Sequence, residues 1–439
     1  MNKSRTNPCC SRLGTTICIV TLLLTGFAAE SADVVIEVRH AEEINALRAR
    51  PKVRIAMDHI LANERRHREE LIELTEIPAP PFKEQARAER FATMLREAGL
   101  REVTIDDEGN VIGRRPGKSG ARVIGYSAHL DTVFPEGTDV TVRFDDDKLF
   151  APGVGDNTRG LIVVLGVLRA LEHANIQTEA DVLFIGNVGE EGLGDLRGVK
   201  YLFRDGAPPI DALIAVDGGN TDRIVYGGVG SHRYRMVFRG PGGHSWGAFG
   251  TANPHHALAR AIALLDENAP SVTEAGAKSS YNIGRIGGGT SINSVPFESW
   301  AEVDIRSGDQ SRIDAIDAIL HAAAEQALQE ENDGRSIGAP LTVELERVGT
   351  RPAALGDPRG DLVQRAMAAT QSFGITPRLG ISSTDANLPL SKGIPAVTMS
   401  RGGESYDSHA PTEAWANVNG YLGIQIGLLT LLAEAGMSR

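Results

Sequence analysis

Residues 127–132, Ser-Ala-His-Leu-Asp-Thr, open a series of His, Asp and Glu residues whose types and spacing suit metal binding. The series continues at Asp156, the pair at residues 190–191, Asp217 and His409, and the segments before them resemble a buried strand or a strand-end loop, with His409 itself in a polar loop. Imidazoles combined with carboxylates suit Zn²⁺, Co²⁺ or Mn²⁺, whereas a set of oxygens alone would favour Ca²⁺ or Mg²⁺. The series therefore predicts a two-metal hydrolase site.

The local spacing suggests which of these residues bind metal and which support a ligand or face the substrate. His129 and Asp131 are two apart, so on an extended strand end they face the same way, as a ligand and the carboxylate behind it do. Asp156 precedes a predicted helix, where it would either cap the helix or bridge two cations. Glu190 and Glu191 are adjacent at a strand end, so one can bind metal while the other faces the substrate.

This combination predicts metal-assisted amide hydrolysis. A pair of divalent ions would polarise an amide carbonyl and lower the pKa of a shared water. Glu190 would accept the proton of that water and pass it to the leaving amine.

The elements that must position these residues read as an α/β fold. Helical patterns at residues 52–76 and 83–99 precede apolar runs that alternate with further helical patterns. This alternation predicts a mainly parallel sheet with helices on both faces, and ligands gather at the carboxyl ends of such strands. The apolar runs lie at residues 123–128, 161–171, 182–188 and 212–216.

The pattern changes near Gly230 to strand, helix, strand, strand, helix, which predicts an inserted α+β domain. Its elements are expected at residues 233–239, 254–267, 280–286, 295–306 and 310–331, with a last strand at 341–348. The predicted organisation is a leader at 1–29, catalytic segments at 30–229 and 350–439, and the insert at 230–349. The catalytic domain is therefore expected to be discontinuous.

The first 29 residues have the composition of a secretory signal peptide, with Lys3, Arg5 and Arg12 before an uncharged stretch at 13–29. That stretch is shorter than the roughly 20 apolar residues of a membrane span, so no stable membrane anchor is expected. We therefore predict a periplasmic or secreted protein. All three cysteines lie in this leader, so the mature chain would form no disulfide.

Net charge limits the partners of the chain. The formal charge is −12, and removal of the basic leader makes it more negative. Such a charge argues against nucleic-acid binding.

In order and type, these motifs resemble the M20 family of metallopeptidases, which includes carboxypeptidase G-type enzymes, tripeptide aminopeptidase, acetylornithine deacetylase and succinyl-diaminopimelate desuccinylase. The resemblance covers nearly the whole mature chain. It implies that Glu190 is the general base, that Asp131 orients His129, and that the Asp156-Asn157 peptide is cis. The implied metal ligands are Asp156 as the bridge, His129 and Asp217 on one ion, and Glu191 and His409 on the other.

The insert resembles the lid or dimerisation domain of that family, which implies a homodimer formed through the lid. His244, in Gly-Pro-Gly-Gly-His-Ser, resembles the family's substrate-facing histidine, which would stabilise the developing oxyanion. Asn293 and Arg306 resemble its substrate-binding positions. Arg306 would hold a substrate carboxylate or form a structural salt bridge with a neighbouring acid. Residues 383–387 resemble a loop that supports the site.

The predicted function is removal of a terminal residue from short peptides, or deacylation of N-acyl amino acids. Aminopeptidase and carboxypeptidase action both stay open, because Arg306 favours a carboxylate anchor only weakly. A non-catalytic, two-lobed periplasmic binding protein is the alternative, and it would have no need of Glu190. A glycosidase using paired carboxylates would leave the histidines without a role.

Overall fold

The computed structural model describes residues 34–145 and 147–438. The leader predicted at residues 1–29 lies outside the described residues. Within the described ranges, no helix is both long enough and apolar enough to cross a membrane.

Helices account for much of the described chain. In chain order they are α1 (Val38–Ala49), α2 (Pro51–Ala62), α3 (Glu64–Thr75), α4 (Gln85–Glu97), α5 (Gly160–His173), α6 (Arg197–Leu202), α7 (Pro254–Asn268), α8 (Pro270–Thr273), α9 (Gln310–Gly334), α10 (Asp361–Gln371), α11 (Asn387–Ser391) and α12 (Tyr421–Ala435). A π-helical turn, Val154–Arg159, leads directly into α5.

The strands form a central sheet, a sheet in the insert and two small sheets. In chain order they are β1 (Glu102–Ile105), β2 (Val111–Arg115), β3 (Val123–His129), β4 (Arg143–Asp145), β5 (Lys148–Phe150), β6 (Asp181–Asn187), β7 (Ala212–Val216), β8 (Arg223–Gly228), β9 (Gly230–Arg239), β10 (Gly243–His244), β11 (Ser279–Gly288), β12 (Ser294–Val295), β13 (Glu298–Ser307), β14 (Thr342–Arg351), β15 (Ala354–Leu355), β16 (Arg378–Ser382), β17 (Ala396–Met399), β18 (Glu404–Tyr406) and β19 (Ala414–Ala416).

The central sheet runs in the order β1-β2-β6-β3-β7-β17-β8-β15, with β16 beside β8. Its middle strands β6, β3, β7 and β17 are mutually parallel, and antiparallel pairs lie toward the edges. β7 and β17 are buried along their whole length, as expected for parallel strands covered on both sides. The predicted α/β class with a mainly parallel sheet is confirmed.

Helices cover both faces of this sheet. On one face α5 and α12 pack against β3 and contribute to a large apolar core with α2 and α10. On the other face, side chains of α6 pack with Ile185 of β6 and Leu213 of β7 in a smaller cluster. Burying a Leu or Ile side chain of this kind stabilises the fold by about 1.5–3 kcal/mol. The sheet is thus a rigid layer from which loops can present a site.

The insert has its own antiparallel sheet in the order β11-β13-β9-β14. The helices α7 and α9 pack against β9 and β13 and share an apolar cluster with them. Residues of β13 alternate between buried and partly exposed, because only one face of this sheet is covered by helices. The boundaries predicted at residues 230 and 349 stay predictions.

Two sequence-based expectations about helices differ from the structure. The single helix expected at residues 52–76 is two helices, α2 and α3, which meet at Asn63. The apolar run at 161–171 is the middle of α5, which is buried on almost every side. A helix buried all round has no polar face, so its sequence lacks the amphipathic period that reveals most helices.

The parallel strands bring the chemistry to one edge of the sheet. His129 ends β3, Asp217 directly follows β7, and Glu190 comes three residues after the end of β6. Because the carboxyl ends of parallel strands share an edge, these side chains meet although they are far apart in sequence.

Candidate metal centre and active site

His129 is buried at the carboxyl end of β3 and faces two carboxylates. Its Nε2 atom lies 3.3 Å from Oδ1 of Asp156 and 3.9 Å from Oδ1 of Asp217. The other ring nitrogen, Nδ1, hydrogen-bonds the main-chain oxygen of Asp131 at 3.0 Å. That bond fixes the ring orientation and leaves Nε2 directed at the two acids.

Asp156 lies between the two histidines of the series. Oδ1 faces His129, and Oδ2 is 3.4 Å from Nε2 of His409. Asp156 belongs to the π-helical turn before α5, and its peptide bond to Asn157 is cis. The amide of Asn157 donates to the main-chain oxygen of Val216 at 2.8 Å, which ties this turn to the end of β7. A carboxylate with one oxygen toward each imidazole has the geometry that a bridging ligand needs.

Glu190 and Glu191 follow β6 and are held by Asp131. One carboxylate oxygen of Asp131 accepts from the N–H of Glu190 at 3.0 Å, and the other accepts from the N–H of Glu191 at 2.8 Å. The Asp131 carboxylate is 3.6 Å from Nδ1 of His129. Asp131 therefore links His129 to the Glu190–Glu191 turn, through its main chain on one side and its side chain on the other.

Glu191 faces the second histidine. Its Oε1 atom lies 3.0 Å from Nε2 of His409, a residue in the loop between β18 and β19. One atom each of His129, Asp156 and Glu191 lies within 4.8 Å of the others. His409 and Asp217 adjoin this group through the contacts given above, so all five predicted ligands converge.

The electrostatics of the cluster follow from burial and close charges. Hydrogen bonds with Asp156 and Glu191 raise the pKa of His409 to about 10. Burial alone would raise the pKa of Asp156, but Arg401 and the two imidazoles outweigh burial and hold it well below its usual range. Burial raises the pKa of Glu190 well above its usual range; Glu191 and Asp217 act in the same direction and Arg351 against it.

The cluster fits divalent metal ions on two grounds. The buried Nε2 atom of His129 makes no hydrogen bond to any described residue, although buried polar atoms nearly always have a partner. Two imidazoles and three carboxylates also form a mixed nitrogen and oxygen donor set that matches Zn²⁺, Co²⁺ or Mn²⁺.

Three further residues shape the centre and were missed by sequence reasoning. Arg401 is buried, and its Nη1 atom lies 3.0 Å from Oδ1 of Asp156. Glu413 accepts hydrogen bonds from three backbone N–H groups of the turn that carries Asp156. Arg351 lies 3.0 Å from Oε1 of Glu190. Only Glu413 had a local sequence signal, since it is four residues after His409.

A cleft of about 350 Å³ opens onto the cluster. Arg306 lines it, together with the arginines Arg223 and Arg233. Arg306 and Arg233 both donate to the carboxylate of Asp304, at 2.6 and 3.1 Å. Two guanidinium groups thus share one carboxylate. The residues that line the cleft therefore include arginines as well as the carboxylates of the cluster. Ser383 and Thr384, from the predicted support segment, line the same cleft.

His244 and Asn293 lie elsewhere. Both are exposed: His244 lies in β10, and Asn293 directly precedes β12, with which β10 forms a two-stranded ribbon. The N–H of Ser245 donates to the main-chain oxygen of Asn293 at 2.9 Å. Nδ1 of His244 accepts from the N–H groups of Trp246 and Gly247. Neither His244 nor Asn293 is among the described residues that line the cleft. Their predicted roles stay predictions.

Comparison with known proteins places this geometry in a family. Residues 125–431 match the model of peptidase family M20/M25/M40. The chain is 24% identical over 322 residues to carboxypeptidase G2 from Pseudomonas sp. (strain RS-16), covering 70% of this chain and 71% of that protein. It is 24% identical over 361 residues to peptidase T from Exiguobacterium sibiricum, covering 71% of this chain and 82% of that protein.

The fold has a solved counterpart in aminopeptidase PepT from Bacillus cereus ATCC 10987. The TM-score is 0.67 with 24% identity, and the match covers 85% of this chain and 99% of that one. Fold, cleft and relatives together define a metallohydrolase that acts on peptide bonds. The chain belongs to peptidase family M20/M25/M40.

Proposed function

We propose that the protein is a two-metal amide hydrolase that anchors its substrate by a carboxylate. The observation that carries the proposal is the convergence of two imidazoles and three carboxylates beneath a cleft whose wall is rich in arginine. Substrates of this kind are short peptides cleaved at their carboxyl end and N-acyl amino acids.

The proposed ligand sets share Asp156. His129 and Asp217 would complete one site, and Glu191 and His409 the other; Zn²⁺ is the expected ion, with Co²⁺ and Mn²⁺ as alternatives. When bound, the ions would supply Lewis-acid polarisation of the amide carbonyl and make an attacking water more acidic.

Glu190 is proposed as the general base. Its carboxylate would accept a proton as water attacks the carbonyl carbon, and would then donate that proton to the nitrogen of the leaving amine. Burial supports this role, because the raised pKa of Glu190 makes its carboxylate a better proton acceptor than an exposed glutamate.

Arg306 is the proposed carboxylate anchor. Its side chain is about two-fifths exposed in the cleft and shares Asp304 with Arg233, so it keeps donor capacity for a substrate. Arg223 adds a third guanidinium to the same wall. Such a surface favours a substrate's free carboxylate over a free α-amine.

The remaining sequence-based expectations belong to the same proposal. His244 would stabilise the oxyanion, and Asn293 would contact the substrate. Both roles require the ribbon of β10 and β12 to approach a cleft that holds the substrate. A homodimer formed through the insert, and secretion or export to the periplasm, complete the proposed picture.

The direct test is hydrolysis of a matched substrate set by the zinc-loaded protein. The set contains an N-blocked dipeptide, its C-amidated counterpart, a free tripeptide and an N-acyl amino acid. We expect cleavage of the N-blocked dipeptide and the N-acyl amino acid, and loss of cleavage on amidation. Cleavage that instead requires a free amino terminus would contradict the carboxylate anchor.

A further inference from the structure

Arg351 occupies an unusual place between the insert and the catalytic cluster. It is the last residue of β14, the strand by which the chain leaves the insert, and it pairs with Ser231 near the start of β9, the first strand of the insert. Its side chain is 5% exposed. A guanidinium buried this deeply requires partners that satisfy its charge and its donors.

The partners of Arg351 are the side chain and the main chain of Glu190. Nη1 lies 3.0 Å from Oε1 of Glu190 and also donates to Oγ of Ser383 at 3.0 Å. Nη2 donates to the main-chain oxygen of Glu190. One rigid, planar group therefore fixes both the carboxylate and the peptide of the proposed base, which a single-point contact would not do.

The turn that follows Glu190 is held by the same two strands of the insert. The N–H of Thr350, next to Arg351, donates to the carboxylate of Asp195 at 2.9 and 3.0 Å. Arg233, in β9, donates to the main-chain oxygen of Gly192. β9 and β14, the first and last strands of the insert, thus both hydrogen-bond to residues 190–195.

We propose that Arg351 is a positioning residue that holds Glu190 in its proton-accepting orientation and makes that orientation depend on the placement of the insert. The inference rests on the proposed role of Glu190. Arg351 adds no chemistry of its own: it restricts the rotamers of Glu190 and provides the counter-charge for the buried carboxylate.

Two other roles for Arg351 make different predictions. If Arg351 anchored the substrate, its substitution would raise KM, because Arg351 also lines the cleft. A purely structural ion pair would be felt in folding rather than in turnover, since leaving one buried charge unpaired is strongly destabilising. If Arg351 positions the base, its substitution lowers kcat, and it does so only in a protein that still contains Glu190.

The test compares Arg351→Gln and Arg351→Lys with Arg347→Gln as the matched control. Arg347 lies on the same strand, but its guanidinium faces Tyr234 and Asp317 rather than Glu190. We expect Arg351→Gln to lower kcat about 100-fold, the scale of a small misplacement of a catalytic group, with KM within about threefold of wild type. Arg351→Lys should recover part of the loss, and Arg347→Gln should match wild type. Bound metal per chain should be unchanged in all three.

A double-mutant cycle with Glu190→Gln decides between the roles. If Arg351 acts through Glu190, Arg351→Gln causes no further loss of the residual rate in the Glu190→Gln background. A full additional 100-fold loss there, a raised KM with unchanged kcat, or wild-type turnover in Arg351→Gln would overturn the inference. If Arg351→Gln does not fold, the kcat and KM of Arg351→Lys decide it by the same criteria. Wild-type activity of Glu190→Gln alone would instead refute the proposed function.

Discussion

Glu413 offers a way to disturb the proposed bridging ligand without touching it. Oε1 of Glu413 accepts from the N–H groups of Gly155 and Asp156 at 2.9 and 2.8 Å, and Oε2 accepts from Gly153 at 2.8 Å. These bonds hold the turn that presents Asp156 to the two histidines. Glu413→Gln keeps the size of the side chain but replaces one oxygen by an NH₂ group, which cannot accept.

The expected cost follows from this geometry. Glutamine can satisfy the two donors at one oxygen, but its NH₂ group then faces the third N–H. Loss of one charge-assisted hydrogen bond costs about 1.5–3 kcal/mol. If the turn relaxes and the free energy of metal binding becomes weaker by this amount, metal affinity decreases about 10- to 150-fold.

The assay is competition for Zn²⁺ between the protein and a chromophoric chelator, followed by turnover at saturating zinc. Glu404→Gln is the matched control. Glu404 is exposed, and within the described residues its carboxylate accepts a hydrogen bond only from the hydroxyl of nearby Tyr406. Zinc affinity and turnover of Glu413→Gln equal to those of the control would refute the idea that Glu413 secures the Asp156 turn.

Three further predictions concern packing, pH and substrate binding. In Gly427→Ala the added Cβ would clash with the Tyr126 hydroxyl, and this overpacking should lower the free energy of unfolding by denaturant by about 1–3 kcal/mol. Adding Tyr126→Phe should restore most of that loss, and a double variant no more stable than Gly427→Ala would refute the clash. Burial lowers the pKa of His67 to about 3, so the folded imidazole stays neutral while the unfolded one gains a proton as pH falls below about 6.5. This residue should therefore steepen the loss of stability by up to about 1.4 kcal/mol per pH unit between pH 6 and 4, and an equal slope in His67→Gln would contradict it. Arg306→Gln should raise KM about 10- to 100-fold for substrates with a free carboxylate but not for amidated ones. The control is Arg285→Gln, because the guanidinium of Arg285 pairs with Glu302 instead. Equal KM values in the two variants would refute the role of Arg306 as an anchor.

The convergence of the cluster could be anticipated because two simple regularities act together. Apolar runs that end at His129 and just before Asp217 mark buried parallel strands, and parallel strands deliver their ends to one edge. Neither regularity needs long-range information. For the same reason, the sequence alone predicts the class of the central sheet.

The arginines of the centre could not be anticipated in the same way. Arg351 and Arg401 act through partners roughly 160 and 245 residues away in sequence, Glu190 and Asp156 respectively, and neither lies in a motif that signals its role. A buried guanidinium in a strand or loop looks like a surface charge until its partners are known. Glu413 lies only four residues after His409, but its carboxylate accepts from backbone N–H groups, and nothing in the side chains of those residues marks the contact in the sequence.

Helix boundaries show a second limit. The period of apolar residues continues through Asn63, so the sequence does not reveal the break between α2 and α3. His244 and Asn293 show a third: family resemblance assigns them to substrate, while the structure has them on an exposed ribbon outside the cleft. A contact that depends on the placement of the insert, or on a second chain, is not encoded in local sequence.

Glu190 is proposed to transfer the proton in a metal-dependent amide hydrolysis. The most direct measurement is turnover of Glu190→Gln on the N-blocked dipeptide, with bound metal per chain determined on the same sample. We predict wild-type metal content and a turnover lower by about 100- to 10,000-fold. Wild-type turnover at wild-type metal content would show that Glu190 does not transfer the proton.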